Sequence, residues 1–193
     1  MRRTKKATDD YYPSPAGIVR PLAGYLKQTD NAAIATILEP CSGTGELVTQ
    51  LTDAFPESRI ITNEPHQPTA TPDYSLDMTC FENWRTIAEK GDIDAVITNP
   101  PFSLFYYFLV GGLNYARMTA LLLPLTYLEP TKKRQKVHQL TMSYLRCVIP
   151  LSPRPKYGHA GSPSGTCVWA IYGKQLTTAS PLFNYSLGIN WND

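Results

Sequence analysis

Short apolar runs alternate with amphipathic segments along most of the chain. The apolar runs predict seven strands, at 34–38, 59–62, 74–78, 93–98, 118–125, 145–151 and 166–172. Segments with apolar residues at helical spacing predict helices at 16–26, 46–54, 81–90, 103–115 and 130–140. Such alternation is typical of a doubly wound α/β sheet with parallel strands and right-handed crossovers. Because no helix separates the last two strands, we expect the seventh to be antiparallel.

The first helix is bounded by a cluster of prolines. Ser14 is a candidate N-cap, and Pro15 suits the first helical position. Pro21, within the same apolar pattern, is expected to kink the helix because it lacks an N–H.

Length and composition indicate one globular domain. The chain has 193 residues, of which 42% are apolar and 18% charged. We expect a flexible polar arm at 1–10, a domain at 11–173 and a C-terminal tail at 174–193. The net charge of +2 permits an anionic partner without requiring one.

The four cysteines argue against a metal site. Cys41, Cys80, Cys147 and Cys167 form no C-x-x-C pair, and no histidine is placed to complete a zinc set. We interpret them as reduced core thiols in a cytoplasmic protein. The basic start leads into acidic residues rather than an apolar segment, so no signal peptide is expected. The apolar stretch 104–123 is interrupted by glycines and polar residues, which predicts no membrane span.

The tetrapeptide Asn99-Pro100-Pro101-Phe102 directly follows the buried strand at 93–98. Two successive prolines cannot continue a sheet, because proline has no N–H and a fixed φ. They leave backbone carbonyls beside a side-chain amide and an aromatic ring. This set of acceptors with a stacking surface suits a planar substrate that carries an NH₂ group.

Polar side chains follow four consecutive predicted strands. Glu39, Glu64, Asp77 and Asn99 each lie at a strand end. Ligands of doubly wound sheets lie across the carboxyl ends of the strands, so we expect these four residues to form one site.

The glycine loop at 39–45 narrows the choice of ligand. No Gly-Lys-Ser/Thr follows it, which excludes a P-loop, and Val48 stands where a dinucleotide fingerprint has its third glycine. Glu39 precedes the loop, where a carboxylate would repel a pyrophosphate and attract an ammonium. A nucleoside with a cationic head and no phosphate satisfies these constraints, and S-adenosylmethionine is such a ligand.

Two motifs together resemble a known family. Glu-Pro-Cys-Ser-Gly-Thr-Gly at 39–45 and Asn-Pro-Pro-Phe at 99–102 resemble the S-adenosylmethionine-dependent amino-methyltransferases, which methylate exocyclic nitrogens, chiefly N6 of adenine in DNA. The segment 12–26 resembles the family's N-terminal cofactor motif. The segment 154–169 resembles its late motif beside the target base. The resemblance covers about residues 11–173 and implies a class I, Rossmann-like methyltransferase fold.

The resemblance also implies a cofactor site. Glu39 and the backbone from Cys41 through Gly43 to Gly45 would hold the methionine moiety. Glu64 would bind the ribose hydroxyls, and Asp77 would bind the adenine amino group. Tyr12, Ser14 and Pro15 would close over the methionine carboxylate.

For the target base, the resemblance implies that the Asn99 side-chain oxygen and the Pro100 carbonyl accept the two amine hydrogens. Pro101 completes the catalytic turn, and Phe102 would stack on the flipped base, with Tyr157 on the other face. Arg154 and Lys156 would contact the substrate. The two acceptors would aim the nitrogen lone pair at the methyl sulfonium, which is catalysis by positioning and electrostatics.

The partner is expected to be DNA, with RNA as an alternative. Neither the gap between Asp77 and Asn99 nor the tail can hold a separate recognition domain. Specificity would be short or absent, or would come from the loops 65–73 and 152–165, a partner subunit or a second copy of the chain. The basic segment 130–140 is by default a solvated face, with phosphate contact as the alternative.

Two other functions stay open at this point. The same chemistry can act on an NH₂ group of RNA or of a protein glutamine. A non-catalytic binding subunit can also keep this fold, although the intact acceptor and cofactor motifs argue against it.

Overall fold

The computed structural model describes residues 13–29, 33–66, 71–129, 131–132, 135, 139, 141–152, 155 and 165–173. The predicted arm at 1–10 and tail at 174–193 lie outside these ranges, as do most of the basic segment 130–140 and most of the loop 152–165.

A six-stranded mixed sheet forms the centre of the fold. Its strands are β1 (Thr36–Glu39), β2 (Arg59–Thr62), β3 (Ile93–Thr98), β4 (Ala116–Pro124), β5 (Leu145–Pro150) and β6 (Cys167–Gly173). Their spatial order is β2-β1-β3-β4-β6-β5. The pairs among β1 to β4 are parallel, whereas β6 runs antiparallel to both β4 and β5. The prediction that the last strand is antiparallel is therefore confirmed.

The α-helices with described bounds that connect or flank these strands are α1 (Arg20–Thr29), α2 (Glu46–Ala54), α3 (Phe81–Ala88) and α4 (Phe105–Tyr115). Short 3₁₀ turns lie at Phe102–Leu104, Leu125–Leu128 and Met142–Tyr144. Within the described residues, no helix is both long and apolar enough to cross a lipid bilayer.

The prediction of seven strands is wrong, because the segment 74–78 does not form a ladder. Tyr74 makes only one isolated parallel bridge, with Asn63. The next backbone groups bond to a side chain instead: the Leu76 N–H donates to Asn63 Oδ1 at 2.9 Å, and Asn63 Nδ2 donates to the Leu76 carbonyl at 3.1 Å. The side-chain amide thus replaces a neighbouring strand, and β2 is the edge of the described sheet.

The helix predicted at 16–26 begins later than expected. Residues 16–19 form a turn, and α1 starts at Arg20. Pro21 therefore lies in the first turn, where its missing N–H interrupts no intrahelical hydrogen bond and the reason to expect a kink is removed. Ser14 and Pro15 precede the helix by several residues, so the predicted N-cap and first-turn roles are wrong.

Both faces of the sheet are covered, as parallel sheets require. On one face, α1 and α2 pack their leucines, such as Leu22 and Leu51, against Ile37 and Ile97. On the other face, α3 and α4 pack Trp84 and Leu109 against strand side chains that point the opposite way, such as Leu38 and Val96. Cys147 and Cys167 lie in the first core and Cys41 packs against the second, whereas Cys80 is exposed, so the prediction of a core thiol is wrong for Cys80.

Candidate active site

The order of the strands reverses between β1 and β3, and their carboxyl ends border a cavity of about 410 Å³. This is the place and the size range expected for a small-molecule site in a doubly wound sheet. Its lining residues are Pro13, Ser14, Glu39, Pro40, Cys41, Ser42, Gly43, Glu46, Leu47, Glu64, Pro65, His66, Asp77, Met78, Thr79, Asn99, Pro101, Leu104 and Phe108.

Eight of the sixteen residues predicted for the site line this one cavity. They are Ser14, Glu39, Cys41, Gly43, Glu64, Asp77, Asn99 and Pro101. Four others, Pro15, Gly45, Pro100 and Phe102, are neighbours in sequence and do not line it. Tyr12, Arg154, Lys156 and Tyr157 lie outside the described residues.

The charge of the lining is strongly one-sided. Four acidic side chains, those of Glu39, Glu46, Glu64 and Asp77, border the cavity, whereas no lysine or arginine is among the described lining residues. A cluster of carboxylates attracts cations and repels phosphate groups. The cavity therefore fits a neutral or cationic ligand and not a nucleotide polyphosphate.

Glu39 is fully buried at the end of β1. Its Oε1 accepts the Cys41 N–H at 3.1 Å, whereas Oε2 has no hydrogen-bond partner among the described residues. Burial raises the pKa of Glu39 to about 8, and the nearby Glu64 carboxylate adds to the rise. A cation in the cavity would favour the ionised form and supply the missing partner.

The glycine loop bends back over the end of β2. Gly43 and Gly45 have φ angles of +54° and +91°, which favour glycine, and Gly45 caps the start of α2. The Gly43 N–H donates to Glu64 Oε2 at 2.8 Å, and the Ser42 N–H donates to the Asn63 carbonyl at 3.0 Å. These bonds explain how the loop presents its backbone to the cavity.

Asn63 is a structural residue of the site that the sequence analysis did not assign. It is fully buried, and its Nδ2 donates to the Pro40 carbonyl at 2.9 Å. Because the same amide pairs with Leu76, it joins the glycine loop, β2 and the segment that carries Asp77. An amide at the end of an apolar strand is the signal that could have suggested this role.

Asp77 lies on the exposed side of the cavity. Its Oδ1 accepts the Thr79 hydroxyl at 2.7 Å and the Thr79 N–H at 2.9 Å. These hydrogen bonds lower the pKa of Asp77, so the side chain is a carboxylate at neutral pH.

Asn99 follows the end of β3 and is held through both its side chain and its main chain. Its Nδ2 donates to Ser14 Oγ at 3.2 Å. Its carbonyl accepts the Cys41 thiol at 3.6 Å, and Cys41 Sγ also lies 2.8 Å from Thr98 Oγ1. Desolvation raises the pKa of Cys41, which keeps the thiol protonated and able to donate.

The two prolines and Phe102 form a tight turn into α4. The Pro101 carbonyl accepts the Leu104 N–H at 2.9 Å, whereas no described residue donates to the carbonyl of the buried Pro100. Phe102 is 9% exposed, and its ring lies 5.9 Å from that of Tyr127, between ring centroids. Phe102 thus packs in an aromatic cluster beside the cavity rather than in its wall.

No group of three or more metal-ligating side chains occurs among the residues that the structure describes. The described lining combines four acidic side chains with hydroxyl, thiol, imidazole and amide groups and with apolar side chains.

No protein-family model and no curated protein sequence matches the chain. Among solved structures, the methyltransferase subunit of a type I restriction-modification system from Streptococcus thermophilus has a TM-score of 0.66 at 14% identity, covering 87% of this chain and 46% of its own. The type IIG restriction endonuclease BpuSI has a TM-score of 0.58 at 12% identity, with 91% and 26% covered. The plantazolicin methyltransferase BpumL, solved in complex with SAH, has a TM-score of 0.52 at 12% identity, with 82% and 83% covered.

The chain has a methyltransferase fold. The expected fold class is thus confirmed, with six described strands instead of seven. The chain spans less than half the length of the two restriction-modification proteins described above.

Proposed function

We propose that this protein uses S-adenosylmethionine to methylate the exocyclic N6 amino group of adenine in DNA. The observation that carries this proposal is the lining of the cavity, which includes both the acidic residues Glu39 and Glu64, at the ends of β1 and β2, and Asn99, at the end of β3. A cationic methyl donor and an amine-binding acceptor would then meet in one place.

The cofactor fits the chemistry of the cavity. S-adenosylmethionine carries a sulfonium and an ammonium and has no phosphate, which agrees with the four acidic side chains and with the absence of lysine and arginine from the described lining. Glu39 would bind the ammonium through its buried Oε2, Glu64 would accept the ribose hydroxyls and Asp77 the adenine amine. Ser14 and its neighbours would lie over the carboxylate, and the glycine-loop backbone over the methionine moiety.

At the acceptor end, Asn99 and the Pro100 carbonyl would accept the two hydrogens of the target amine. An exocyclic amine is a poor nucleophile because its lone pair is delocalised into the ring. Two acceptors draw the nitrogen towards sp³ geometry and direct the lone pair at the methyl group, so the chain contributes positioning and electrostatic stabilisation. The cofactor supplies the electrophilic methyl. The flipped base would stack on Phe102 once the ring turns from its contact with Tyr127.

The similar structures support DNA as the substrate class. The protein from Streptococcus thermophilus is a methyltransferase subunit of a restriction-modification system, and another similar structure, with a TM-score of 0.53, concerns assembly of a type I system. By analogy, we propose that a partner subunit, or a second copy of this chain, supplies sequence specificity.

The test is methyl transfer from labelled S-adenosylmethionine to double-stranded DNA, single-stranded DNA, RNA and protein, followed by nucleoside and amino-acid analysis. We expect N6-methyladenine in DNA, and no label in a control DNA that is already methylated at N6 of every adenine. Label found only in RNA, or in a protein glutamine, would show that the protein carries out the same methyl transfer on a different substrate. Cofactor binding without transfer to any acceptor would instead support a non-catalytic subunit, and no cofactor binding would overturn the proposal.

A further inference from the structure

Ser14 and Asn99 are 85 positions apart in the chain and meet at the cavity. Ser14 Oγ accepts the hydrogen bond from Asn99 Nδ2, at 3.2 Å. Ser14 is 9% exposed, and both residues line the cavity. The hydroxyl therefore contacts the amide proposed to bind the target amine and also faces the space proposed for the methyl donor.

The backbone around Ser14 is fixed before any ligand binds. Pro13 restricts the chain on one side, and Pro15 disfavours the helical conformation at Ser14 on the other. The Gln50 carboxamide of α2 donates to the Pro15 carbonyl at 3.0 Å and accepts the Val19 N–H at 3.5 Å. Trp169 of β6 donates its Nε1–H to the Ile18 carbonyl at 2.8 Å, which ties the same segment to the sheet.

The main chain of Asn99 is held separately from its side chain. The Cys41 thiol donates to the Asn99 carbonyl at 3.6 Å, and the following prolines fix the turn. Loss of the Ser14 hydroxyl would therefore change the orientation of the carboxamide and not the position of the Asn99 backbone.

The direction of this hydrogen bond determines the direction of the amide. When Nδ2 points at Ser14, Oδ1 points to the other side of the carboxamide plane, because the two atoms are fixed on one sp² carbon. A serine hydroxyl that accepts from Asn99 keeps one O–H to donate, and a carboxylate in the cavity is a suitable acceptor for it.

We infer that Ser14 is a positioning residue that orients the Asn99 carboxamide for the target amine and couples occupancy of the cavity to that orientation. The inference rests on the proposed function, because it assigns Asn99 to the target amine. A ligand carboxylate that takes the Ser14 O–H fixes the hydroxyl, and the fixed hydroxyl in turn fixes the amide. The coupling is reciprocal, as thermodynamic linkage requires.

The first experiment observes the hydrogen bond without catalysis. In ¹⁵N-labelled protein, the side-chain NH₂ signals of Asn99 are assigned by their loss in Asn99→Asp. We expect S-adenosylhomocysteine to shift these signals in the wild type and in Ser14→Thr, which keeps the hydroxyl, and to leave them nearly unmoved in Ser14→Ala. Equal shifts in Ser14→Ala and in the wild type would overturn the coupling.

The second experiment separates binding from turnover. At saturating cofactor and DNA, we expect Ser14→Ala to lower kcat about tenfold, the effect of losing one hydrogen bond in the transition state. Ser14→Thr should stay within about threefold of the wild type. The matched control is Ser143→Ala, which should not change kcat. Ser143 is exposed and precedes β5, which is an edge strand of the sheet.

The decisive comparison uses Asn99→Ala, which removes the carboxamide and leaves neither a donor nor an acceptor for the Ser14 hydroxyl at position 99. In this background, Ser14→Ala should not lower kcat further, because the two residues act as one unit. The same loss in both backgrounds would show that Ser14 acts only on the cofactor or on the fold, and the inference would be wrong. Absence of transfer by the wild type would overturn the proposed function itself, while the NMR comparison would still decide whether the cavity and Asn99 are coupled.

Discussion

The backbone N–H of Gly43 donates a 2.8 Å hydrogen bond to Oε2 of Glu64, which joins the glycine loop after β1 to the end of β2. Oε1 of the same carboxylate accepts the His66 N–H at 2.7 Å. Glu64 is 7% exposed, so both bonds form in a largely desolvated place. The residue proposed to bind ribose thus also organises the loop that surrounds the cofactor.

We expect Glu64→Ala to reduce both cofactor affinity and stability. Removing the carboxylate leaves two backbone donors without their acceptor, at a cost of about 1–3 kcal/mol for each buried group. Calorimetric titration with S-adenosylhomocysteine and urea unfolding measure the two effects.

The matched control for Glu64 is Glu46→Gln. Glu46 also lines the cavity, but it is exposed in the first turn of α2 and accepts the Thr44 hydroxyl instead of these backbone groups. It should lose little stability. If Glu64→Ala unfolds at the same urea concentration as Glu46→Gln, the organising role of Glu64 is refuted.

Asn99→Ala is expected to lower kcat by at least about 100-fold, a loss typical of removing one preorganised polar group from a transition state. The Kd for S-adenosylhomocysteine should change less than about threefold, because Asn99 would face the target amine and Glu39 and Glu64 would carry cofactor binding. The measurement pairs steady-state methyl transfer with calorimetric titration. Asn114→Ala, which removes an exposed amide from α4, serves as control. Wild-type turnover in Asn99→Ala would show that the assigned role is wrong.

Local elements with clear apolar boundaries could be predicted from the sequence. The predictions for α2, β2 and β3 agree with the structure at both ends. The error at 74–78 has a long-range cause. The side chain of Asn63 pairs with the N–H and the carbonyl of Leu76, which a strand would have paired with its neighbour in the sheet. No pattern within the segment itself reports this pairing.

The site was predictable in its residue types and not in its contacts. Polar residues at strand ends converge because parallel strands end at one edge, so Glu39, Glu64 and Asn99 could be grouped from the sequence. Ser14 was assigned to the helix start and to the cofactor site, but its contact with Asn99 was not predicted, because that contact depends on packing by Gln50 and Trp169. Such contacts join distant parts of the chain and have no local signature.

The buried Glu39 should make stability depend on pH. Its pKa is raised from 4.5 to about 8, mainly by burial, so between these values the folded protein holds a proton that the unfolded chain has released. Stability then falls as the pH rises through this range, by up to about 1.4 kcal/mol per pH unit. Below pH 4.5 both states are protonated, and above pH 8 both are ionised, so the dependence ends there.

The test compares the wild type with Glu39→Gln, which keeps an oxygen acceptor for the Cys41 N–H and cannot ionise. We expect the variant to gain unfolding free energy over the wild type as the pH rises from 5 to about 8, and no further gain above that. Glu57→Gln, which changes an exposed carboxylate, controls for net charge. A difference between Glu39→Gln and the wild type that stays constant across this range would contradict the buried, protonated state.

Gly111 of α4 packs directly against Trp84 of α3. A Cβ at this position would overlap the indole ring of Trp84, which is fully buried and donates its Nε1–H to the Met78 carbonyl at 2.8 Å. Gly111→Ala should therefore destabilise the fold by about 1–3 kcal/mol, although alanine is the better helix former by about 1 kcal/mol. On the same helix, Asn114→Ala should be neutral or slightly stabilising, which separates helix propensity from overpacking.

The overlap predicts a specific coupling as well: in Trp84→Leu, which removes the ring, Gly111→Ala should cost less than it does in the wild type. Equal costs in the two backgrounds, measured by urea unfolding, would place the origin of the effect elsewhere than at the indole.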